Sequence, residues 1–547
     1  MTMAIHTQPR SSHFARAGSH ARSRAPRALG IGALATAALG ACGLTDEPAQ
    51  ELESEQAALA EQPSPGAPGI GDILYPGLGN GGYDVDHYDL ALRYETASPS
   101  QAIEGTVTIW ARATQSLSQL NLDFAGDAVG GVSVDGAAAA YAWDGEELVI
   151  TPARPIKRGK RFAVTVSRFA ASPAAPDPDA FLDAPFFTTP DGTAWAGQPH
   201  NAHRIFPSND HPRDKASFSF RIDVPAGTTA VANGELAAQP AAGGRAIWRY
   251  EQREPMATEL AQVAVGAFTV TDRGRHRGVR VRDVTPARLT AGLAPKLGAE
   301  LGHLDWLRER LGDYPFGTYG SLVVDTSLGF ALETQTLSLY EAAFFDQPAP
   351  YWDSVMVHEL AHQWFGNSVA PTQWSDVWQN EGHATWYEIS SMADPDSPAF
   401  TGFAQLVYSL GDLWRAYLGP VAAPYSGDPE WLFNANVYYG GALVLYALRQ
   451  EVGDATFRAT ERTWVAKYRG RSASTADFIV VASEVSGRDL TAFLEAWLYG
   501  TTTPPMPGHP DWTVDPVDPQ LAAQLAADAR LAPAQVPMKG LRPIMRH

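Results

Sequence analysis

From Tyr83 onward, hydrophobic and polar residues alternate with period two, and the alternation recurs in short runs. Tyr88 to Tyr94, Ile103 to Ala113, Leu148 to Thr151 and Arg161 to Val166 each set apolar side chains against polar ones, as half-buried strands do. Gly, Pro and Asp clusters separate them. The pattern continues to about Val270 and predicts an antiparallel β-domain, with Asn233-Gly234 as a hairpin turn. From about Leu289 the period lengthens to that of a helix. Leu297 to Leu311 carries Leu301, Leu304 and Leu307 on one side. Tyr319 to Asp325 reads as a strand. Val355 to Phe365 is mostly apolar and reads as a buried helix, with Asp353 or Ser354 to cap it and Gly366-Asn367 to end it. Thr456 to Arg469, Ala476 to Val485 and Leu490 to Leu498 complete a helical set. The fold class is therefore multidomain α+β: an N-terminal antiparallel β-domain followed by a mainly helical domain.

Both flanks of this body look different. Residues 1–27 hold five arginines and no acid, and Leu29 to Ala41 is a short run of mostly Gly, Ala, Leu and Ile that ends at Cys42. That run is too short to remain as a membrane-spanning helix. Together the three features read as a lipoprotein-type signal peptide over 1–41, with Cys42 as the acylated residue. The expectation is an exported bacterial lipoprotein, anchored to a membrane at the cell envelope. A plain secretory signal with an incidental cysteine is the alternative. Residues 42–75 are rich in Glu, Ala, Gln and Pro and read as a disordered tether. The β-domain is expected over 76–275, the helical domain over 276–510, and a Pro-, Ala- and Asp-rich tail over 511–547.

Composition narrows the function. The chain has 547 residues, 45% of them hydrophobic, with fifteen tryptophans. That is enough for two folded domains. The formal charge of −19 argues against nucleic acid as a partner. Cys42 is the one cysteine, so no intramolecular disulfide forms. A monomer is expected.

The candidate chemistry lies in the apolar helix. His358 and His362 are four residues apart, about one helical turn, so both imidazoles leave one face. Two imidazoles so placed can close on one metal ion. Glu359, beside the first histidine, is an acceptor for a proton from an attacking water. A catalytic zinc takes a third protein ligand and keeps one position open. Eighteen residues separate His362 from Glu381, which lets a second helix fold back and offer that carboxylate.

This constellation, with Asn380-Glu381-Gly382, resembles the zinc aminopeptidases of the aminopeptidase N type, members of the gluzincin metallopeptidases. The resemblance covers roughly residues 83–510. It implies a thermolysin-like, mainly helical gluzincin catalytic domain behind the β-domain, one Zn2+, and peptide substrates with a free N-terminus. Phe206 to Phe218 matches the family's "FPxxDxPxxKAxF" stretch, and Gln198, nine residues before Pro207, matches a glutamine facing the pocket for the first substrate residue. Glu333 matches the acid of the family's "GxMEN" motif, which binds the substrate α-ammonium. Here Phe330, Leu332 and Thr334 replace the motif's glycine, methionine and asparagine. Tyr438 matches the tyrosine that steadies the developing oxyanion, and Tyr439 is its competitor one residue on. The chain stops before the helical C-terminal domain of larger relatives, so the resemblance implies a short form with a more open cleft. Two other readings accompany this one: an endo-acting zinc metallopeptidase, and a non-catalytic surface protein that binds peptides with the same fold.

Overall fold

A computed structural model describes residues 62–96, 102–172, 185–423 and 432–517. The signal segment 1–41, Cys42, the first part of the tether and the tail beyond residue 517 lie outside the described residues. Among the described residues, no helix is long and apolar enough to cross a membrane.

The alternating runs form sheets. Ile103–Ala113 buries Ile103, Val107, Ile109, Ala111 and Ala113, and pairs antiparallel with Tyr83–Arg93 and Arg161–Ala171. These strands belong to a nine-stranded sheet that continues through Ala216–Pro225 to Arg245–Met256. Two four-stranded sheets share its hydrophobic core. One central pairing departs from the antiparallel expectation. Tyr83–Arg93 and Ala216–Pro225 run parallel, with Tyr88 opposite Phe218. A long stretch of chain separates them, which lets the second strand return in the same direction.

Other expectations are corrected as well. Asn233-Gly234 is not a hairpin turn, because Thr229–Ala232 and Glu235–Ala238 enter different sheets. Asn233 is buried instead, and its Nδ2 donates to the carbonyls of Leu260 at 2.9 Å and Gln335 at 2.7 Å. The boundary between residues 275 and 276 falls inside a hairpin. Phe268–His276 pairs antiparallel with Val279–Pro286, which runs parallel to Ser321–Val324, itself parallel to Ser338–Glu341. This five-stranded sheet is continuous with the helical half of the chain, although its first strand alternates like those before it. Residues 62–75 are not a free tether. Leu74 and Tyr75, with Leu78, pack into the core of the helical half. Asp72 is 1% exposed and accepts from the Trp374 backbone N–H at 2.8 Å. Three apolar residues are too few to show a period, and the Gly and Pro around them imitate a linker. At the far end Trp512 stacks on Tyr446 and His509, so the folded part runs past residue 510.

Three helices position the candidate chemistry: α1 (Ala349–Ala361), α2 (Trp378–Met392) and α3 (Gly441–Val452). Helix α1 starts before the expected caps. Pro350 sits in its first turn and no side chain caps it, in keeping with the fixed φ of proline. Asp353 bonds His303 Nε2 at 3.0 Å instead. Helices α2 and α3 touch through glycines: a Cβ on Gly382 would lie 2.9 Å from Gly441 Cα. The next residue upstream on α2 is Glu381, and the turn leading into α3 holds Tyr438.

Candidate active site

His358 and His362 lie at the C-terminal end of α1, and Glu381 lies in the first turn of α2. Glu381 Oε2 stands 3.4 Å from His358 Nε2 and 3.3 Å from His362 Nε2. All three side chains are buried. The outer imidazole nitrogens are engaged elsewhere. His358 Nδ1 meets Glu388 Oε2 at 3.1 Å, and His362 Nδ1 meets the Phe365 carbonyl at 3.2 Å. Such bonds fix the ring tautomer and turn both Nε2 lone pairs inward. Burial would raise the Glu381 carboxyl, but His362 and His358 outweigh it and hold it at about 2.

Glu359, Glu333 and His362 form a second close set, with one nitrogen or oxygen from each within 4.8 Å of the others. Burial pushes the Glu359 carboxyl up to about 8 against the pull of the two histidines. Gln198 Nε2 donates to Glu333 Oε1 at 2.6 Å, so the β-domain reaches this site. The Glu333 backbone is tied to the end of α1. Gln363 Nε2 and Asn367 Nδ2 both donate to its carbonyl, at 3.1 and 2.6 Å.

Tyr438 and Tyr439 separate cleanly. They belong to a π-helical turn, Asn436–Gly440, that opens α3, a distortion common at functional sites. Tyr438 stacks on His358 with ring centroids 6.0 Å apart. Tyr439 faces away, packed against Phe403 and Trp414. Burial raises both hydroxyls, which stay protonated as donors. The structure thus gathers His358, Glu359, His362, Glu381, Glu333, Gln198 and Tyr438, and leaves Tyr439 in the core. Sequence reasoning passed over Glu388, Gln363 and Asn367. Glu388 alone carried a signal, lying seven residues after Glu381, two turns along the same helix.

The donor set fits zinc. Two imidazole Nε2 atoms and one carboxylate oxygen converge within 4.8 Å, and Glu381 Oε2 is buried without a conventional hydrogen-bond partner. Two histidines and one glutamate, with side-chain bonds fixing the rings, make up a zinc hydrolase site.

The fold and this site resemble those of zinc metallopeptidases. Comparison with known proteins names the family matched. Residues 297–497 match the peptidase family M1 domain and residues 192–260 the peptidase M1 N-terminal domain. The chain thus carries a stretch matching the peptidase family M1 domain behind one matching the M1 N-terminal domain. It is 28% identical over 312 residues to aminopeptidase M1-C of Oryza sativa subsp. japonica, a match covering 54% of this chain and 35% of that one. It is 27% identical to aminopeptidase N of Lactococcus lactis subsp. lactis, over 58% of this chain and 39% of that one. The matched part thus spans well under half the length of these curated relatives. A crystal structure of an M1 zinc metallopeptidase from Deinococcus radiodurans superposes with a TM-score of 0.71 at 28% identity, covering 80% of this chain and 99% of that one. A variant of that metallopeptidase bound to a Tyr-Ser-Ala substrate gives 0.70 at 29% identity, over 81% and 100% of the two chains.

Proposed function

We propose that this chain is a zinc-dependent aminopeptidase that releases N-terminal residues from peptides. The observation that carries this reading is the place of Glu333. Its carboxylate lies beside Glu359 and His362, so an ammonium held there leaves room for only one residue before the reacting carbonyl. His358, His362 and Glu381 would hold the zinc. When bound, zinc supplies a Lewis acid that polarises the scissile carbonyl and the attacking water. Glu359 takes the proton from that water and delivers it to the leaving amine. The Tyr438 hydroxyl donates to the oxyanion that develops at the carbonyl. Glu333 and Gln198 hold the α-ammonium by charge-assisted and neutral hydrogen bonds. Glu388 orients His358.

The test compares one peptide in two forms, with a free and with an acetylated N-terminus. The expected result is cleavage of the free form one residue in, and at least a hundredfold slower turnover of the acetylated form, as expected when a charge-assisted contact is lost. Equal cleavage of both, or cuts at internal bonds, points to the endo-acting reading instead.

Export and lipid anchoring through Cys42 belong to the same proposal, as does a monomeric state. The support for export and anchoring is the arginine-rich start, the short apolar run and the small residues before the cysteine. Labelling cells with a radioactive fatty acid tests the anchor, with Cys42→Ala expected to abolish the label.

A further inference from the structure

Gln363 and Asn367 lie just past α1 and take no part in the chemistry proposed above. Both are fully buried. A buried amide is costly unless its polar groups are paired, and here the pairs all fall on the segment that carries Glu333. Gln363 Nε2 and Asn367 Nδ2 donate to the Glu333 carbonyl, at 3.1 and 2.6 Å. At its other end, the Gln363 amide accepts from the Thr336 backbone N–H at 2.9 Å.

A carbonyl oxygen can accept two hydrogen bonds, and two side chains use that capacity here. They hold the peptide that follows Glu333. The residue before it is held as well: Leu332 exchanges backbone bonds with Leu339, at 2.9 and 2.7 Å. With both neighbouring peptides fixed, the direction of the Glu333 side chain is set. The turn beyond leans on the same clamp. Thr336 has a φ of 68°, a left-handed conformation unfavourable for a β-branched residue, and its N–H is the one Gln363 accepts.

The clamp grows from the chain that carries the metal ligands. Gln363 directly follows His362, and the Asn367 backbone N–H donates to the His362 carbonyl at 3.0 Å. A path of bonds therefore runs from a zinc-binding imidazole to the Glu333 backbone without leaving a single turn.

We infer that Gln363 and Asn367 are positioning residues for substrate recognition: they tie the Glu333 backbone to the turn that begins at His362, and so fix the distance between the ammonium-binding carboxylate and the metal. This rests on the aminopeptidase reading and deepens it, because that distance decides how far from the free amine the chain is cut.

Steady-state kinetics on one aminoacyl fluorogenic substrate test this, alongside zinc content and inhibition by an amino acid amide and by its des-amino analogue. Gln363→Met and Asn367→Ala each remove one donor. KM should rise about fivefold in each, with kcat within about threefold, the size expected for losing one hydrogen-bonded constraint on binding. The double variant should rise about 25-fold or more. The amino acid amide should weaken as an inhibitor by the same factors, while the des-amino analogue is unaffected and every variant keeps one zinc per chain. The inference is overturned if the double variant keeps the unaltered KM, if both inhibitors weaken equally, or if zinc is lost. Gln363→Leu and Asn367→Val, read the same way, stand in for a variant that does not fold. Failure of the aminopeptidase reading has a different mark: the unaltered enzyme would then cleave acetylated and free peptides alike, and this inference would fall with it.

Discussion

Glu359 and Tyr438 act on the same carbonyl from different elements, and single substitutions separate their tasks. Glu359→Gln keeps the shape of the side chain and both histidines, so zinc content should stay at the unaltered level. Turnover should fall by about 10²–10⁴-fold, the range for loss of a general base. Metal analysis paired with a fluorogenic assay reads both. Tyr438→Phe should lower kcat by about 10²–10³-fold, as removing one oxyanion donor does. Tyr439→Phe should retain activity, because that ring faces Phe403 and Trp414; a large loss there would reverse the assignment. His358, His362 and Glu381 were legible in the sequence because helical spacing alone places two of them and a short return places the third. Gln363 and Asn367 were not. Each acts on a partner set by tertiary packing, such as Asn367 on the Glu333 carbonyl at 2.6 Å, and no local pattern encodes that distance.

At the scale of elements, the glycine contact between α2 and α3 brings Glu381 to the Nε2 edge of His358 and Tyr438 against its ring. Gly382→Ala forces those helices apart or strains them. The expected cost is about 1–3 kcal/mol of stability, visible as a lower denaturant midpoint with reduced zinc content. The short helical turn Ala202–Arg204 is held by charge. Burial disfavours the His203 cation, but bonds to Asp210, at 2.8 Å, and to Glu146 push its pKa up to about 9. A raised histidine pKa gives stability that is complete below the unfolded value of about 6.5. That stability is lost as pH rises through about 9. The stability gap between the unaltered chain and His203→Gln should therefore narrow across that interval in urea titrations, and a constant gap would contradict it. Elements were read well where the periodicity was long: Ile103–Ala113 has the expected bounds. Asn233-Gly234 was misread because a turn between two sheets has the same composition as a turn within one.

The two halves of the folded body meet through buried polar anchors. Lys215 Nζ, in the β-domain, donates to the carbonyls of Asn367 and Ser368 at 2.6 and 2.8 Å, just past α1. Asp72 accepts from the Trp374 backbone and bonds His211 Nε2 at 3.0 Å. These contacts hold Gln198 over Glu333, so a site built from both halves depends on them. Asp72→Ala leaves a buried backbone N–H and an imidazole without their acceptor, and should cost about 1–3 kcal/mol in urea unfolding. The whole account depends on one metal held by three side chains from two helices. The most direct measurement is zinc per chain, taken together with aminopeptidase activity, in the unaltered protein and in Glu381→Ala. The expected result is one zinc and activity in the first, with both lost in the second. Full zinc in Glu381→Ala, or a zinc-loaded unaltered chain that hydrolyses no peptide, would contradict the account.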